Sequence, residues 1–289
     1  MTRVALVTGA SSGIGLATAI AAAKAGFTTV GTVRSGGARL LAAAAAARVS
    51  IDVRQLELTS QASIESCVDD VVTTHGRLDA LVNNAGIANS SPTLELSTMD
   101  LLRTQMEVNF FGVVATSRAA MPHLRATRGR LLTVSSVRGV LGQPFNEAYS
   151  AAKFAVEGFM EALAPVAASV GVAVSLIEPA AVLDTSFVAS SSLDPAALLA
   201  RSGPYEPAFR AYRSWVASGA VEGAQTSAEV AEVIVDALTC DDPAPRIPTS
   251  AYARDYVSRK LKDPTGRDLL ATTRGWITPS EPALRAGIH

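Results

Sequence analysis

Tyr149 and Lys153 stand four residues apart at the start of a helical pattern, so they lie as neighbours on one helix face. A free tyrosine has a pKa near about 10 and is a poor acid–base catalyst at neutral pH. An ammonium beside it favours the phenolate and lowers that pKa, which is the tuning that general acid–base catalysis needs. Alone, the pair reads better as an ordinary amphipathic pair on a solvated face. Its company changes the weighting. Ser135 and Ser136 close one apolar run, and Asn83-Asn84-Ala85-Gly86 closes another. Asn109 sits within a helical stretch, an unusual place for a residue type that favours caps and turns. If both runs are parallel strands, their ends meet at the carboxyl edge of the sheet, where open α/β sheets bind ligands.

A second constellation opens the chain. An apolar run over residues 3–8 enters Thr8-Gly9-Ala10-Ser11-Ser12-Gly13-Ile14-Gly15 and then an Ala-rich helical stretch. A strand, a glycine-rich turn and a helix N-terminus together offer backbone N–H groups and a positive dipole end to a phosphate. Gly9 suits the tight turn, Gly13 a close approach to a pyrophosphate, and Gly15 close helix–strand packing, while Ser11 and Ser12 add hydroxyl donors. The same residues also fit the G-x-S-x-G elbow of a serine hydrolase, with Ser11 as nucleophile. Position opposes that: no earlier strand exists to supply an oxyanion loop, and only His75, His123 and His289 follow as bases.

The elements that must position these groups alternate regularly. Strands are expected over residues 3–8, 27–33, 49–56, 78–82, 130–134 and 172–177, and helices over 13–25, 38–47, 60–75, about 97–125 and 149–169. Ser60 is the expected cap of the third helix, and Ser97 or Asp100 that of the fourth. Strands with little apolar–polar alternation, each followed by a helix, require a parallel sheet covered on both faces. Right-handed crossovers make it doubly wound. The alternation breaks over residues 178–226 and resumes at Thr226-Ser-Ala-Glu229, a capping box. With no repeat and no second core, the expectation is one α/β domain over residues 1–289. In it, residues 178–226 form a substrate-covering insertion.

Composition excludes several alternatives. Of 289 residues, 48% are hydrophobic and only 18% charged, against roughly 25% in average domains, which argues against disorder. A net charge of −1 gives no basic face for nucleic acid or anionic lipid. Two distant cysteines, Cys67 and Cys240, make no disulfide framework, and three scattered histidines set no metal-ligand spacing. The first residues carry no signal-peptide pattern, and the longest uncharged run, 162–177, is too short to cross a bilayer. A cytoplasmic protein with no membrane span is the expectation.

With these residues assembled, the chain resembles the short-chain dehydrogenase/reductase family, strongly over about its first 185 residues. The resemblance implies a Rossmann-like fold and a catalytic tetrad of Asn109, Ser136, Tyr149 and Lys153, with Ser136 thirteen residues before Tyr149. It implies hydride transfer between a nicotinamide cofactor and a carbonyl or alcohol carbon. Tyr149 would exchange the proton, Lys153 would lower its pKa and hold the ribose, and Ser136 would bind the substrate oxygen. Asn109 would hold a water that links Lys153 to solvent. Cofactor contacts are implied for Gly9, Ser11, Ser12, Gly13, Ile14 and Gly15, for Glu57 and Leu58 at the adenine, and for Asn84, Ala85 and Gly86. Pro179 and Val182 would meet the nicotinamide side.

Cofactor preference is read from Arg34. Relatives that prefer NAD usually carry an acid where Val33 stands; here Arg34 follows instead and suits a 2′-phosphate, so NADP is expected over NAD. The stretch Pro179-Ala180-Ala181-Val182-Leu183-Asp184-Thr185 departs from the family's P-G-x-x-x-T pattern, which puts the role of Thr185 in question. Val140, Leu141, Phe145, Phe187, Tyr205, Phe209, Tyr212 and Trp215 are candidates for a bulky lipophilic carbonyl or alcohol substrate, although the 205–212 stripe reads better as packing. The resemblance further implies a homodimer or homotetramer through two long helices. Two other readings stay open: an NAD-dependent alcohol dehydrogenase of the same fold, and a non-catalytic dinucleotide-binding sensor.

Overall fold

The computed structural model describes residues 2–88, 93–185, 195–219 and 223–262, with a few scattered positions of the tail beyond. Seven strands form one parallel sheet: β1 (Val4–Val7), β2 (Thr28–Val33), β3 (Ile51–Gln55), β4 (Ala80–Asn83), β5 (Arg130–Val134), β6 (Ala173–Glu178) and β7 (Arg246–Pro248). Their order is β3-β2-β1-β4-β5-β6-β7. The chain winds outward from β1 in one direction and from β4 in the other, so the topological switch lies between the ends of β1 and β4. The doubly wound sheet read from the sequence is therefore the fold observed.

The helices explain why the strands carry unbroken apolar runs. On one face lie α1 (Gly13–Lys24), α2 (Ala38–Ala46) and α9 (Ser227–Thr239), which bury Ala19, Ala22, Leu40, Val230 and Ile234 against β1, β4 and β5. On the other lie α3 (Gln61–His75), α5 (Gly112–Thr127) and α6 (Glu147–Ala168), which bury Val68, Val71, Leu124, Val156 and Met160. Both faces of the central strands are thus dry. A strand in that position gains nothing from polar alternation.

Local signals are mostly honoured. Ser60 accepts a hydrogen bond from the Ser63 N–H, and Thr226 and Glu229 close the capping box. The fourth helix differs from expectation: α4 (Met99–Met106) is capped by Thr98, which accepts from the Leu101 N–H, while the Ser97 hydroxyl donates to the Thr93 carbonyl. The helix is also not continuous to residue 125. A wider π turn, Glu107–Phe111, joins α4 to α5 and carries Asn109 at its centre.

The stretch after β6 holds more order than the sequence suggested. It contains α7 (Pro195–Ala200) and α8 (Glu206–Gly219), followed later by α10 (Ala251–Lys262). Strand β7 carries no periodic signal, being three residues long and set just after two prolines, Pro243 and Pro245. Its anchor is electrostatic. Arg246 bonds Glu178 Oε1 through Nε at 2.8 Å and Glu157 Oε2 through Nη2 at 2.8 Å, and Nη1 reaches Glu161 at 3.4 Å. The side chains of Glu178 and Glu157 are only 1% and 6% exposed. Two buried carboxylates thus share one guanidinium, and removing it strands both. Arg246→Met is expected to cost roughly 2–4 kcal/mol, below the full range for a buried pair because Arg246 is itself partly exposed. Urea denaturation with an unchanged m-value would measure it.

Candidate active site

Four loops meet at the carboxyl edge near the switch point. The tie between the first two is Thr8, whose Oγ1 accepts the N–H groups of Asn84 at 2.9 Å and Ala85 at 3.0 Å. Asn84 returns the contact, donating from Nδ2 to the carbonyls of Thr8 at 3.0 Å and Gly9 at 3.2 Å. Gly9 has φ +68°, and a Cβ there would stand 2.7 Å from the Ala85 backbone. At Gly15 a Cβ would collide with the Gly9 carbonyl and the Asn84 amide. The glycines are required by how closely the turn packs on the Asn84 loop.

Ser12 stands at the N-cap of α1 in extended conformation, its hydroxyl does not cap the helix, and the first turn holds no acidic residue. The first-turn N–H groups and the dipole end therefore suit an anionic ligand. Ser11 is exposed beside them, and Ile14 packs down into the core. The residues fit a dinucleotide: a helix N-terminus for phosphate, and around it an edge built for a longer ligand. Arg34, exposed at the end of β2, has no carboxylate partner within 4 Å among the described residues; its carbonyl accepts from Gln55 Nε2. At the end of β3 Glu57 turns to Thr59, accepting its N–H and hydroxyl, and Leu58 is buried against Gly112.

On the other side of the switch point lie the groups capable of proton chemistry. Tyr149 and Lys153 occupy the first turns of α6, both buried, with Lys153 Nζ 5.8 Å from the Tyr149 ring centroid. Lys153 donates to the Val134 carbonyl at the end of β5 at 2.9 Å. Burial pushes its ammonium down to about 8. Ser136 hydrogen-bonds the Tyr149 phenol. Burial pushes that phenol above the usual tyrosine value, and the Arg138 charge and the Ser136 bond oppose the rise. The sequence gives that tuning to Lys153; in the structure the cation that opposes the rise is Arg138, and the phenol lies above its usual value, not below it.

Asn109 is placed by the π turn, but its side chain is occupied. Oδ1 accepts the Ile87 N–H at 2.8 Å, and Nδ2 donates to the Ile87 carbonyl at 2.9 Å and Gln105 Oε1 at 2.6 Å. The amide fastens the segment that follows Gly86. Behind Ser136, Val137 donates to the Pro179 carbonyl at 3.0 Å, tying β5 to the segment after β6. There Val182 pairs with Gln225, and Asp184 Oδ1 accepts both the N–H and the hydroxyl of Ser227 at the start of α9. The departure from the usual spacing thus has a local cause. Asp184 caps a helix, and Thr185 lies over Gly13, whose added Cβ would come within 3.1 Å of it.

Most substrate candidates are packing residues. Phe145, Phe209 and Tyr212 form one buried cluster with Leu198, and Val140 and Leu141 pack on α10 with Trp215 alongside. Tyr205 donates to Glu95 at 2.7 Å, and Phe187 lies outside the described residues. Phe145 also lines a groove beside Tyr149, together with Leu94, Ser97, Leu102, Asn146 and Glu147. Leu94 is 70% exposed, and no pattern in the sequence marks it as a groove residue. Among the described residues no cluster suits a metal ion, and no helix is long and apolar enough to cross a membrane.

The family model for short chain dehydrogenase matches residues 3–196. The chain is a short-chain dehydrogenase/reductase. A 3-ketodihydrosphingosine reductase of Bacteroides thetaiotaomicron is 38% identical over 178 residues, 61% of this chain and 63% of that protein. Bovine retinol dehydrogenase 8 is 32% identical over 91% of this chain and 86% of its own length. Human 17-beta-hydroxysteroid dehydrogenase type 1 is 34% identical over 97% and 87%. Among solved structures, a short-chain dehydrogenase from Streptomyces avermitilis superposes with TM-score 0.76 at 31% identity, covering 95% of this chain and 98% of that one. An alcohol dehydrogenase from Thermococcus sibiricus, complexed with 5-hydroxy-NADP, gives 0.69 at 25% identity over 86% and 95%. This short-chain dehydrogenase/reductase is accordingly a nicotinamide-dependent oxidoreductase acting on CH–OH or C=O groups.

One titration follows from the buried edge of the site. Burial, reinforced by Glu178, raises the Glu157 carboxyl from 4.5 to about 7 despite Arg246. Between those values the folded chain binds more protons than the unfolded one, so this group's contribution to stability is full below pH 4.5 and declines as pH rises to about 7. Chemical denaturation across that window is expected to show the decline in wild type and a flatter profile in Glu157→Gln.

Proposed function

We propose that this short-chain dehydrogenase/reductase uses NADP(H) to interconvert a lipophilic small-molecule ketone or aldehyde with its alcohol. The observation that carries the reading is the arrangement of Ser136, Tyr149 and Lys153 beside the glycine turn of β1, on one edge of one sheet. Bound there, the cofactor supplies or accepts the hydride. In reduction, the Tyr149 hydroxyl gives its proton to the carbonyl oxygen as charge develops there; in oxidation the phenolate takes it back. The Ser136 hydroxyl donates to the same oxygen and steadies that charge. Lys153 holds a positive charge one helical turn away and would meet the ribose hydroxyls. Asn109 acts at one remove, by fixing Ile87 behind the cofactor edge.

The proposed cradle comprises Gly9, Ser11, Ser12, Gly13, Ile14 and Gly15 for the phosphates, and Asn84, Ala85 and Gly86 for the ribose. Glu57 and Leu58 would border the adenine, and Pro179 and Val182 the nicotinamide. The exposed, carboxylate-free Arg34 favours a 2′-phosphate over a bare ribose hydroxyl. Apolar Leu94, Leu102 and Phe145 along the groove favour a lipophilic substrate. Relatives named for retinol, a steroid and a ketosphingoid base support the same class. A homodimer or homotetramer is proposed through α6 and the α4–α5 pair, where Phe111, Phe154, Phe159 and Val166 leave apolar surface exposed.

Two measurements test this. A panel of lipophilic ketones and aldehydes should consume NADPH in the presence of wild type. Tyr149→Phe should bind cofactor by nicotinamide fluorescence yet lose roughly 10²- to 10⁴-fold in kcat, the usual contribution of a positioned acid–base group; retained turnover would refute the assignment. Arg34→Ala should lower the ratio of kcat/KM for NADPH over NADH by about 10- to 100-fold, the equivalent of one charge-assisted hydrogen bond. An unchanged ratio would remove the case for NADP.

A further inference from the structure

The residue two places after Ser136 is an arginine whose two ends meet the two halves of the acid–base pair. Its backbone N–H donates to Ser136 Oγ at 3.2 Å. Its guanidinium carbon lies 5.9 Å from the centroid of the Tyr149 ring. Arg138 is half-buried, has no carboxylate within 4 Å among the described residues, and makes only a long 3.5 Å contact with Asn146 Oδ1. A surface arginine would extend into water or find an acid. This one is held over the mouth of the site.

We propose that Arg138 is a positioning residue for the Ser136–Tyr149 pair, its main chain orienting the Ser136 hydroxyl and its guanidinium supplying a second cation beside the phenol. The proposal rests on the proposed acid–base role of Tyr149. A cation within about 4–6 Å of a phenol favours its ionised form, the more so where water is excluded. The Arg138 charge draws down three buried phenols, Tyr149, Tyr212 and Tyr256. Asn146 couples the same group to Tyr212, donating from Nδ2 to its hydroxyl at 2.7 Å.

The other charged or titratable groups facing this pocket are few. On α6 they are Glu147, Lys153 and, acting through Lys153, Glu157, on α8 Tyr212 and Arg213, and on α10 Tyr252, Tyr256 and Arg259. Lys153 is spent in part on the Val134 carbonyl. With the lysine directed to the end of β5, the Arg138 guanidinium offsets some of the burial that works against ionisation.

The test needs no substrate. In full-length protein with isotopically labelled tyrosine, ring-carbon NMR follows each of the five tyrosines through a pH titration, and loss of one signal in Tyr149→Phe assigns it. Arg138→Met is expected to raise the Tyr149 midpoint by about one unit or more, a roughly tenfold smaller phenolate fraction at any pH below it. Arg138→Lys should recover most of that shift, and the corresponding limb of the kcat/KM pH profile should move with it. If Arg138→Met folds poorly, Arg138→Gln keeps the side chain's length without its charge. A Tyr149 titration unchanged in the folded neutral variants, or moved equally by the lysine, overturns the proposal. That failure stays distinct from failure of the reaction itself, which would show as turnover retained in Tyr149→Phe.

Discussion

The knot between the ends of β1 and β4 is the constraint on which the rest of the molecule depends. Thr8 receives two backbone N–H groups from the loop after β4, and Asn84 donates into the turn after β1. These bonds are partly buried, and losing one partner would leave the other unsatisfied at a cost of roughly 1 kcal/mol. They bring two backbones so close that Gly9 and Gly15 tolerate no side chain. A doubly wound sheet opens a crevice at its switch point by topology alone. Here the knot fixes how closely the turn after β1 approaches the loop after β4 at that crevice.

The sheet was legible because burial on both faces writes itself into sequence. Runs such as Val4-Ala5-Leu6-Val7 and Ala80-Leu81-Val82 lack alternation, and each precedes a helix pattern. The site was legible for a different reason: Gly, Asn, Ser, Tyr and Lys at strand ends and first turns are there for conformation or chemistry, and packing alone would not choose them. What was not legible was held together across long sequence separations. Strand β7 has three residues and no pattern, and it is joined to the sheet by Arg246 reaching carboxylates 68 and 89 positions earlier. The π turn at Asn109 likewise leaves no mark, because it changes the winding of a helix without changing its composition.

Side-chain roles were harder to read than side-chain identities. Ser97 and Thr98 are both plausible caps by type, and only the helix's actual first turn decides between them. Asn109 was singled out correctly as an oddity, yet its amide serves Ile87 and Gln105. Phe145, Phe209 and Tyr212 have the character of pocket residues but pack on one another, the Phe145 and Phe209 centroids 5.0 Å apart. Phe145 also holds φ +61°, an uncommon state for a bulky residue, at the turn that launches α6. The aromatic cluster therefore sits at the turn from which α6 starts.

The two-point fastening beyond β6 bears on how such an enzyme changes its diet. Val182 pairs with Gln225, and Asp184 grips the start of α9 through Ser227, so the stretch leaving the sheet and the stretch returning to it are clasped side by side. Between those clasps Leu198, Phe209 and Tyr212 pack on Phe145 at the start of α6, and length changes that spare them leave the strands undisturbed. Doubling a closed loop costs only about 0.6 kcal/mol in chain entropy. Selection can thus vary the length of this segment as long as that aromatic cluster is kept.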